Sequence, residues 1–515
     1  MKSFFAGALA CLALSSAASA AESYARLNFN PDWKFIKADP AGAAQIAFDD
    51  KAWTSVSLPH AFNDAGRAWY RKTFALPESF KGKKVFVEFE AVQQSAEVCL
   101  NGQLLGSSKT GSVPFGFDLT PHLKFGGAKN VIAVRAGGGI YRNIYLHVTD
   151  PLHISLPLYS FLQTAGPYVY AADVTSESAH IELEVPVQNE RTTEAVVQIA
   201  ATILGPDGKA VLTLQEKGQF AASSSAEVTL SGVLSKPLLW EPSHPNLYHA
   251  VISLRVGSKE ADSREVTFGI RTVKWDDAAG LSINGHPEKL RGGEQPTDWA
   301  GIGAAKPDWM YFYKLRLMKE AGANFVRWGQ GEDAPAMFEA ADRLGLVTEQ
   351  SGVNGDADAI RDRTIYFRNH PSILFNQKPM REQAEELRGH TIASTASAPP
   401  LTLRITPTTG PAGLLADGSD VVLIEVEALD ANGERCPFFQ YRVDFEISGP
   451  GVWPGNTRLN LESGMARVAI RSTRSAGTIT IKAKTEGLKP ASLAIPSKAF
   501  AAPNGIGASL PAYVR

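Results

Sequence analysis

The sequence has few cysteines and no surplus of charge of either sign. Beyond the first twenty residues only Cys99 and Cys436 remain, in distant segments, which argues against a disulfide-stabilised scaffold. The formal net charge is -2 over 515 residues, and charged residues make up 20%. Without a basic surplus or an acidic run, the composition gives no sign of a nucleic-acid partner or an acidic tail.

The apolar run at residues 4–14 is too short to span a membrane as a helix. It follows Lys2 and precedes a stretch of small residues that ends in Ala18-Ser19-Ala20, a pattern typical of a secretory signal peptide cleaved after Ala20. We therefore expect residues 1–20 to be removed and the chain to be exported, periplasmic or extracellular, with no membrane partner. A buried N-terminal helix and a lipid anchor at Cys11 are the alternatives.

The length favours several domains, and the first two are predicted to be β-sandwiches. Segments such as "KVFVEFEAV" and "NVIAVRA" alternate apolar and polar residues, the period of a half-buried strand. Asn101-Gly102 separates two apolar runs and predicts a hairpin with a primed turn. We expect a first sandwich over residues 24–151 and an immunoglobulin-like sandwich over residues 152–275.

After residue 275 the pattern alternates strands with helices. "EKLRG", "NFVRW", "LVTEQ" and "SILF" are predicted strands, and each precedes a predicted helix, the fourth being "KPMREQAEELRG". Four such units predict a parallel sheet over residues 276–392. A small-residue linker then leads to a second immunoglobulin-like sandwich over residues 399–500, and residues 501–515 are predicted to be a loose tail.

Several stretches resemble glycoside hydrolase family 2, the β-galactosidase, β-glucuronidase and β-mannosidase group. They include "SLPHAFN", "GGGIYRNIYLHVTDPLHI", "LLWEPSHPNLY", "INGHPEKLRGG", "LRLMKEAGANFVR", "ADRLGLVTEQ" and "FRNHPSIL", and they cover most of residues 50–150 and 236–390. The resemblance implies a jelly-roll sandwich, an immunoglobulin-like sandwich, a TIM-type (β/α) barrel and a C-terminal immunoglobulin-like sandwich. It also implies retaining hydrolysis of a β-linked glycoside or oligosaccharide, without a cofactor.

That reaction needs two carboxylates, an acid/base and a nucleophile. The family places its acid/base glutamate after an asparagine at the end of the fourth barrel strand. If Asn376 matches that asparagine, Gln377 stands where the acid/base belongs, and an amide cannot act as a general acid. The nucleophile is expected on a later strand, but an eight-unit barrel takes about 250 residues and residues 276–392 suffice for four units. The sequence therefore predicts a truncated barrel.

Three hypotheses follow: a family 2 glycosidase with impaired activity, a non-catalytic carbohydrate-binding relic, or an incomplete gene product. A truncated barrel would also expose its edge strands, at "EKLRG" and "SILF", which could pair two copies into a homo-oligomer. Its apolar strand residues are expected to lie in a half-open core.

Active sites of such barrels lie at the carboxyl ends of the strands. This rule selects Arg291 and Glu294, Arg327 and Trp328, Glu349 and Gln350, and Asn376 and Gln377. Arg291, Arg327, Trp328 and Asn376 are the candidate substrate contacts, and Glu349 is the one carboxylate to test as a residual acid. Arg327 could equally form a structural ion pair with Glu349, and Trp328 could simply cap the barrel mouth.

Histidines are sparse, and His60, His122, His147 and His153 are expected to lie far from the barrel. No spacing of histidine, cysteine and aspartate resembles a metal site. Glu382, Glu385 and Glu386 are expected on the solvated face of the fourth helix.

Overall fold

The computed structural model describes residues 24–62, 66–276, 278–295, 298–299, 301–328, 334–349, 356–374, 385–386, 399–455 and 458–510. The predicted signal peptide lies outside these residues. No helix within these ranges is both long enough and apolar enough to cross a membrane.

The N-terminal sandwich consists of two antiparallel sheets, with strand orders β1-β10-β5-β8 and β3-β2-β4-β9-β6-β7. Its strands are β1 (Tyr24–Asn28), β2 (Trp33–Ile36), β3 (Thr54–Val56), β4 (Ala68–Ala75), β5 (Lys84–Phe89), β6 (Ala96–Leu100), β7 (Gln103–Ser108), β8 (Phe115–Asp118), β9 (Lys129–Ala136) and β10 (Ile144–Thr149). Asn101 and Gly102 join β6 to β7 with φ values of 51° and 84°, as the primed turn predicted there requires.

The second sandwich also has two sheets, in which β13 pairs with β11, β12 and β16, and the other order is β15-β14-β19-β20. Its elements are β11 (Leu152–Ile154), the short helix α1 (Tyr159–Leu162), β12 (Tyr168–Ala172), β13 (Ser178–Asn189), β14 (Ala195–Leu204), β15 (Ala210–Phe220), β16 (Ser224–Ser235), β17 (Trp240–Glu241), β18 (His244–Pro245), β19 (Tyr248–Val256) and β20 (Lys259–Phe268). Along β13, buried and half-buried residues alternate strictly, which confirms the period-2 interpretation.

The next part, the parallel-sheet segment, begins with a small antiparallel sheet of β21 (Val273–Asp276), β22 (Gly280–Ile283) and β23 (His286–Pro287). A parallel sheet follows, in the order β27-β26-β25-β24-β28. Its elements are β24 (Arg291–Gln295), α2 (Trp309–Glu320), β25 (Phe325–Trp328), α3 (Pro335–Leu344), β26 (Val347–Glu349), α4 (Ala357–Phe367), β27 (Ile373–Leu374) and β28 (Glu385–Glu386).

Two sequence predictions for this segment are wrong. The first strand is not "EKLRG" but begins at Arg291, because Gly292 and Gly293 continue the ladder along β25 despite their low strand propensity. A side chain at Gly292 would lie 1.9 Å from the Phe325 carbonyl oxygen, so the close approach requires glycine. The predicted fourth helix is interrupted at Glu385–Glu386, which pair with Arg291 and Gly292 as β28.

The apolar residues of the sheet do not lie in a half-open core, contrary to expectation. Phe325, Val347 and Leu374 pack against Trp240 and neighbouring residues of the second sandwich and of β22. The residues on the other face lie beneath the three helices, and they are Val326, Leu346 and Ile373. All six are at most 4% exposed. Both faces are covered because the second sandwich closes the side that the helices leave open.

The C-terminal sandwich has the sheet orders β29-β31-β35-β33 and β30-β37-β36-β32-β34. Its strands are β29 (Thr402–Thr408), β30 (Leu414–Ala416), β31 (Val421–Leu429), β32 (Arg442–Ser448), β33 (Gly451–Val452), β34 (Arg458–Asn460), β35 (Met465–Ser472), β36 (Gly477–Lys484) and β37 (Ala491–Ala499). The first sheet presents Val421, Leu423 and Ala469 to Trp309 and Met310 at the start of α2.

The tail after β37 is not loose as far as residue 510. Its Gly507 N–H donates to the Asn28 carbonyl oxygen at 2.9 Å, and the Ser509 hydroxyl donates to the Arg26 carbonyl oxygen at 3.0 Å. Ile506 packs against the core of the N-terminal sandwich. The tail therefore ties the last sandwich to the first.

Candidate active site

Three charged side chains form a row at the carboxyl ends of neighbouring parallel strands. The register pairs Glu294 of β24 with Arg327 of β25, and the ladder between β25 and β26 brings Arg327 level with Glu349. Arg327 Nε lies 2.7 Å from Glu349 Oε1, and Arg327 Nη1 lies 3.5 Å from Glu294 Oε2. The Glu349 side chain is 17% exposed and that of Glu294 is 57% exposed.

The contacts within this row limit the chemistry available at the carboxyl edge of the parallel sheet. The 2.7 Å contact is a charge-assisted hydrogen bond in which Glu349 accepts from the guanidinium. A general acid must instead hold a proton and direct it at the leaving oxygen. In the row as it stands, Glu349 orients Arg327, and the guanidinium can hold a sugar hydroxyl or carboxylate with its remaining N–H donors.

Of the other predicted site residues, one lies at the carboxyl end of the sheet, one lies at the amino end, and three lie outside the described residues. Trp328 is the last residue of β25 and pairs with Gln295, so the backbone places it at the carboxyl end as predicted. Arg291 was wrongly placed, because it is the first residue of β24 and lies exposed at the opposite, amino end of the sheet. Gln350, Asn376 and Gln377 lie outside the described residues.

A second polar centre lies where the N-terminal sandwich meets the helices, and sequence reasoning missed it. Glu88 of β5 accepts hydrogen bonds from Arg26 at 3.4 Å, from His147 Nε2 at 2.6 Å and from the Tyr366 hydroxyl of α4. Glu88 therefore contacts both His147 and Tyr366 of α4. His147 thus lies close to the parallel-sheet segment, whereas the sequence predicted that it would lie far from it. The sequence did contain a signal for this centre. Glu88 lies in the otherwise apolar strand "VFVEF", and Glu90 follows that strand directly.

The neighbouring Glu90 shares an amide with Asp308, which precedes α2. The Asn143 side-chain amide donates to Glu90 Oε2 at 3.0 Å and to Asp308 Oδ1 at 3.0 Å. Burial and the Asp308 carboxylate raise the pKa of Glu90 to about 8, and burial also raises the pKa of Asp308. Both shifts favour the protonated form of these buried carboxyl groups.

The pKa values of Glu88 and His147 are lowered, whereas those of Glu90 and Asp308 are raised. Burial acts to raise the pKa of Glu88, but Arg26 and the hydrogen bond from His147 outweigh it and lower that pKa to about 2. Burial lowers the pKa of His147 despite the adjacent carboxylate. The pair is thus an ionised Glu88 and a neutral His147, a structural link between sandwich and α4.

A cavity of about 60 Å³ adjoins this centre and is lined in part by Asn143, Asp308 and Asp420. Its volume lies well below the range of about 300–1,000 Å³ that small-molecule sites occupy, so we do not assign a sugar to it. Among the described residues, no group of three or more histidine, cysteine, aspartate or glutamate side chains could hold a metal ion.

Comparison with known proteins agrees with this architecture. Family models described as the sugar-binding domain of glycosyl hydrolases family 2, as glycosyl hydrolases family 2, and as glycoside hydrolase family 2 C-terminal domain 5 match residues 41–150, 166–271 and 405–494. These matches, on a chain of two sandwiches, a parallel sheet and a third sandwich, identify it as a protein of the glycoside hydrolase class. It belongs to glycoside hydrolase family 2.

A β-glucuronidase of Formosa agariphila is 29% identical over 781 positions, covering 94% of this chain and 80% of that protein. A β-galactosidase of Bacteroides ovatus is 30% identical, over 68% of this chain. The chain spans 46% of that β-galactosidase and 50% of another, from Thermoanaerobacter pseudethanolicus. Among solved structures, a family 2 β-glucuronidase superposes with a TM-score of 0.87 at 28% identity, covering 95% of this chain and 82% of that one.

Proposed function

We propose that the chain engages β-linked glycosides at the carboxyl edge of its parallel sheet, with uronides as the first candidates. The proposal is supported by a β-glucuronidase sequence and a solved β-glucuronidase structure, each of which matches nearly the whole chain. Arg327 is the residue suited to a uronide carboxylate, since a guanidinium binds carboxylates in a bidentate manner. Trp328 and Asn376 are the further proposed substrate contacts, and we propose that the sheet is the first half of a (β/α) barrel.

We further propose that hydrolysis by this chain is impaired. The observation that carries this is the row Glu294–Arg327–Glu349, in which the same guanidinium contacts both carboxylates. Retaining hydrolysis needs one carboxyl group to donate a proton and a second, about 5–5.5 Å away, to attack the anomeric carbon. A carboxylate held by Arg327 serves neither role well, and Gln377 is proposed to replace the family's acid.

The length of the alignment bears on why activity would be impaired. The match to the Formosa agariphila protein extends over 781 positions, 266 more than the 515 residues of this chain. At least that many residues of the relative therefore face gaps, which is about the size of a whole eight-unit barrel. The gaps support a non-catalytic binding relic and an incomplete gene product equally, and resequencing the locus distinguishes the two.

Hydrolysis is tested with 4-nitrophenyl β-D-glucuronide and β-D-galactoside as substrates of the purified chain. We expect no turnover above the uncatalysed rate, with or without Glu349→Gln. Binding of the glucuronide, measured by calorimetry, should be weakened by Arg327→Ala and unchanged in the matched exposed variant Arg316→Ala. Turnover that disappears on Glu349→Gln would contradict the impairment and identify Glu349 as a working acid.

A further inference from the structure

An exposed aromatic group lies on the C-terminal sandwich, in the loop before β32. Phe438 is 90% exposed and Tyr441 is 57% exposed. The Tyr441 ring stacks on Phe439, with centroids 4.5 Å apart and planes at 27°, and Phe439 packs against the sandwich core. Tyr441 is therefore held by a neighbour that is itself anchored, and it presents its remaining face to solvent.

Tyr441 lines a groove whose other residues are all polar. The groove has a volume of about 480 Å³ and is lined by Arg442, Asp444, Lys484, Thr485 and Glu486. This volume falls within the range of about 300–1,000 Å³ that small-molecule sites occupy. We call it the Tyr441 groove.

Two ion pairs at the surface involve polar side chains of the groove. Arg442 Nε lies 3.2 Å from Asp444 Oδ1, and Lys484 Nζ lies 2.5 Å from Glu446 Oε1. Asp444 stands directly opposite Lys484 across the antiparallel pair β32–β36, so the strand register sets their spacing. Donors and acceptors of both charge signs therefore lie side by side along the groove.

The groove is separate from the carboxyl edge of the parallel sheet. The other sheet of the C-terminal sandwich covers α2 through Val421, Leu423 and Ala469. Val443 and Phe445 of β32 point into the sandwich core, so Arg442 and Asp444, which alternate with them, point outward. The groove thus opens on the side of the sandwich that faces away from α2.

We propose that the Tyr441 groove binds one pyranose unit of a glycan chain. A pyranose has an apolar C–H face and a rim of hydroxyl groups, which match an aromatic wall beside donors and acceptors. The C–H face stacks on Tyr441, and the hydroxyls bind Arg442 and Asp444. Lys484 adds a contact when the sugar carries a carboxylate. The choice of a glycan as ligand rests on the proposed function, but binding at this groove needs no hydrolysis.

The test is calorimetric binding of two oligosaccharide probes to the full chain, a neutral β-1,4-galactan and a β-1,4-glucuronan. We expect Tyr441→Ala to weaken binding about tenfold and Tyr441→Phe to preserve it, since phenylalanine keeps the stacking face. Lys484→Ala should weaken binding of the glucuronan more than that of the galactan. The exposed Lys209→Ala, on the second sandwich, should change neither.

Two results would overturn the inference. The first is that neither probe binds the unsubstituted chain, or that both bind Tyr441→Ala unchanged. The second is a dimer that Phe438→Ser converts to monomer, which would make the patch a self-association surface. Binding lost on Arg327→Ala but unaffected by Tyr441→Ala would reject this groove while leaving the proposed function intact. Binding lost on Tyr441→Ala but not on Arg327→Ala would support the groove alone.

Discussion

The Arg271 guanidinium donates a hydrogen bond from Nη2 to the carbonyl oxygen of Ile373 at 2.6 Å. Ile373 lies on β27, the last strand at one edge of the parallel sheet, so the bond satisfies a carbonyl that an edge strand would otherwise present. At the other edge, β28 pairs with the first residues of β24. Both edges are thus less open than the sequence predicted, and self-association through them stays a prediction.

Arg271→Ala should therefore destabilise the parallel-sheet segment. Removing one partner of a buried hydrogen bond to a charged group costs about 1–3 kcal/mol. We expect faster tryptic and chymotryptic cleavage between residues 280 and 374, and a larger associated fraction in sedimentation at high concentration. Arg316→Ala, on the exposed side of α2, is the matched control. Unchanged cleavage and sedimentation in Arg271→Ala would mean that the edge does not need this bond.

Glu90→Gln should remove a dependence of stability on pH. The pKa of Glu90 is about 8 in the folded chain, against an ordinary value of 4.5. Between those values the folded state holds a proton that the unfolded chain releases, so the free energy of unfolding falls as the pH rises, by at most about 1.4 kcal/mol per unit. The polar groups that interact with Glu90 include Arg26, Glu88, Asn143, Tyr145, Asp308 and Tyr366.

The measurement is the unfolding midpoint of the unsubstituted chain and of Glu90→Gln at pH 5, 6.5 and 8. The unfolding midpoint of Glu90→Gln, relative to that of the unsubstituted chain, should rise with pH across this series. Glu216→Gln, at an exposed position on the second sandwich, should shift the midpoint by the same small amount at each pH. A constant difference between Glu90→Gln and the unsubstituted chain would contradict the raised pKa of Glu90.

Truncation after Ala502 should weaken the tie between the C-terminal and N-terminal sandwiches. It removes the hydrogen bonds to Asn28 and Arg26 and the apolar contact of Ile506, together worth about 2–4 kcal/mol. The ion pair between Arg474 and Asp32, at 2.9 Å, would remain. We expect earlier proteolytic release of the last sandwich. Ser509→Ala, which removes a single exposed bond, should have a much smaller effect.

Export is predicted from residues 1–20, and it is tested by N-terminal sequencing of the chain expressed in a Gram-negative host. We expect the mature protein to begin near Ala21 and to appear in the periplasmic or culture fraction. Replacing the apolar residues 4–14 by a polar stretch should retain the protein inside the cell. An exported chain that still carries Met1 would contradict cleavage.

Most elements of the parallel-sheet segment could be predicted from local patterns. Gly345 ends α3 with a φ of 66°, and Asp356 caps α4 by accepting from the backbone N–H groups of Asp358 and Ala359. These signals lie within a few residues of the structure they specify. The prediction of the first strand was wrong because its bounds depend on a non-local contact. Pairing with β25 holds Gly292 and Gly293 extended against their own preference.

The candidate site could be predicted only by the rule that strand ends converge. The rule found Arg327 and Glu349, and it misplaced Arg291 because a shift of three residues moves a side chain from one end of the sheet to the other. The rule could not identify Glu90 and Asp308. These residues are 218 positions apart in the chain and are joined by hydrogen bonds from Asn143.

The sequence by itself determined the family and the order of sandwiches and parallel sheet, and it predicts a shortage of residues for a complete barrel. Periodicity and motifs are local properties, and length is a sum over the chain, so all three can be read without coordinates. Only the tertiary structure decided that the second sandwich covers the open face of the sheet, that Arg327 contacts both edge carboxylates, and that the tail returns to the first sandwich. Each depends on which distant segments pack together, and the backbone register and interdomain contacts that fix this are not encoded in any one stretch.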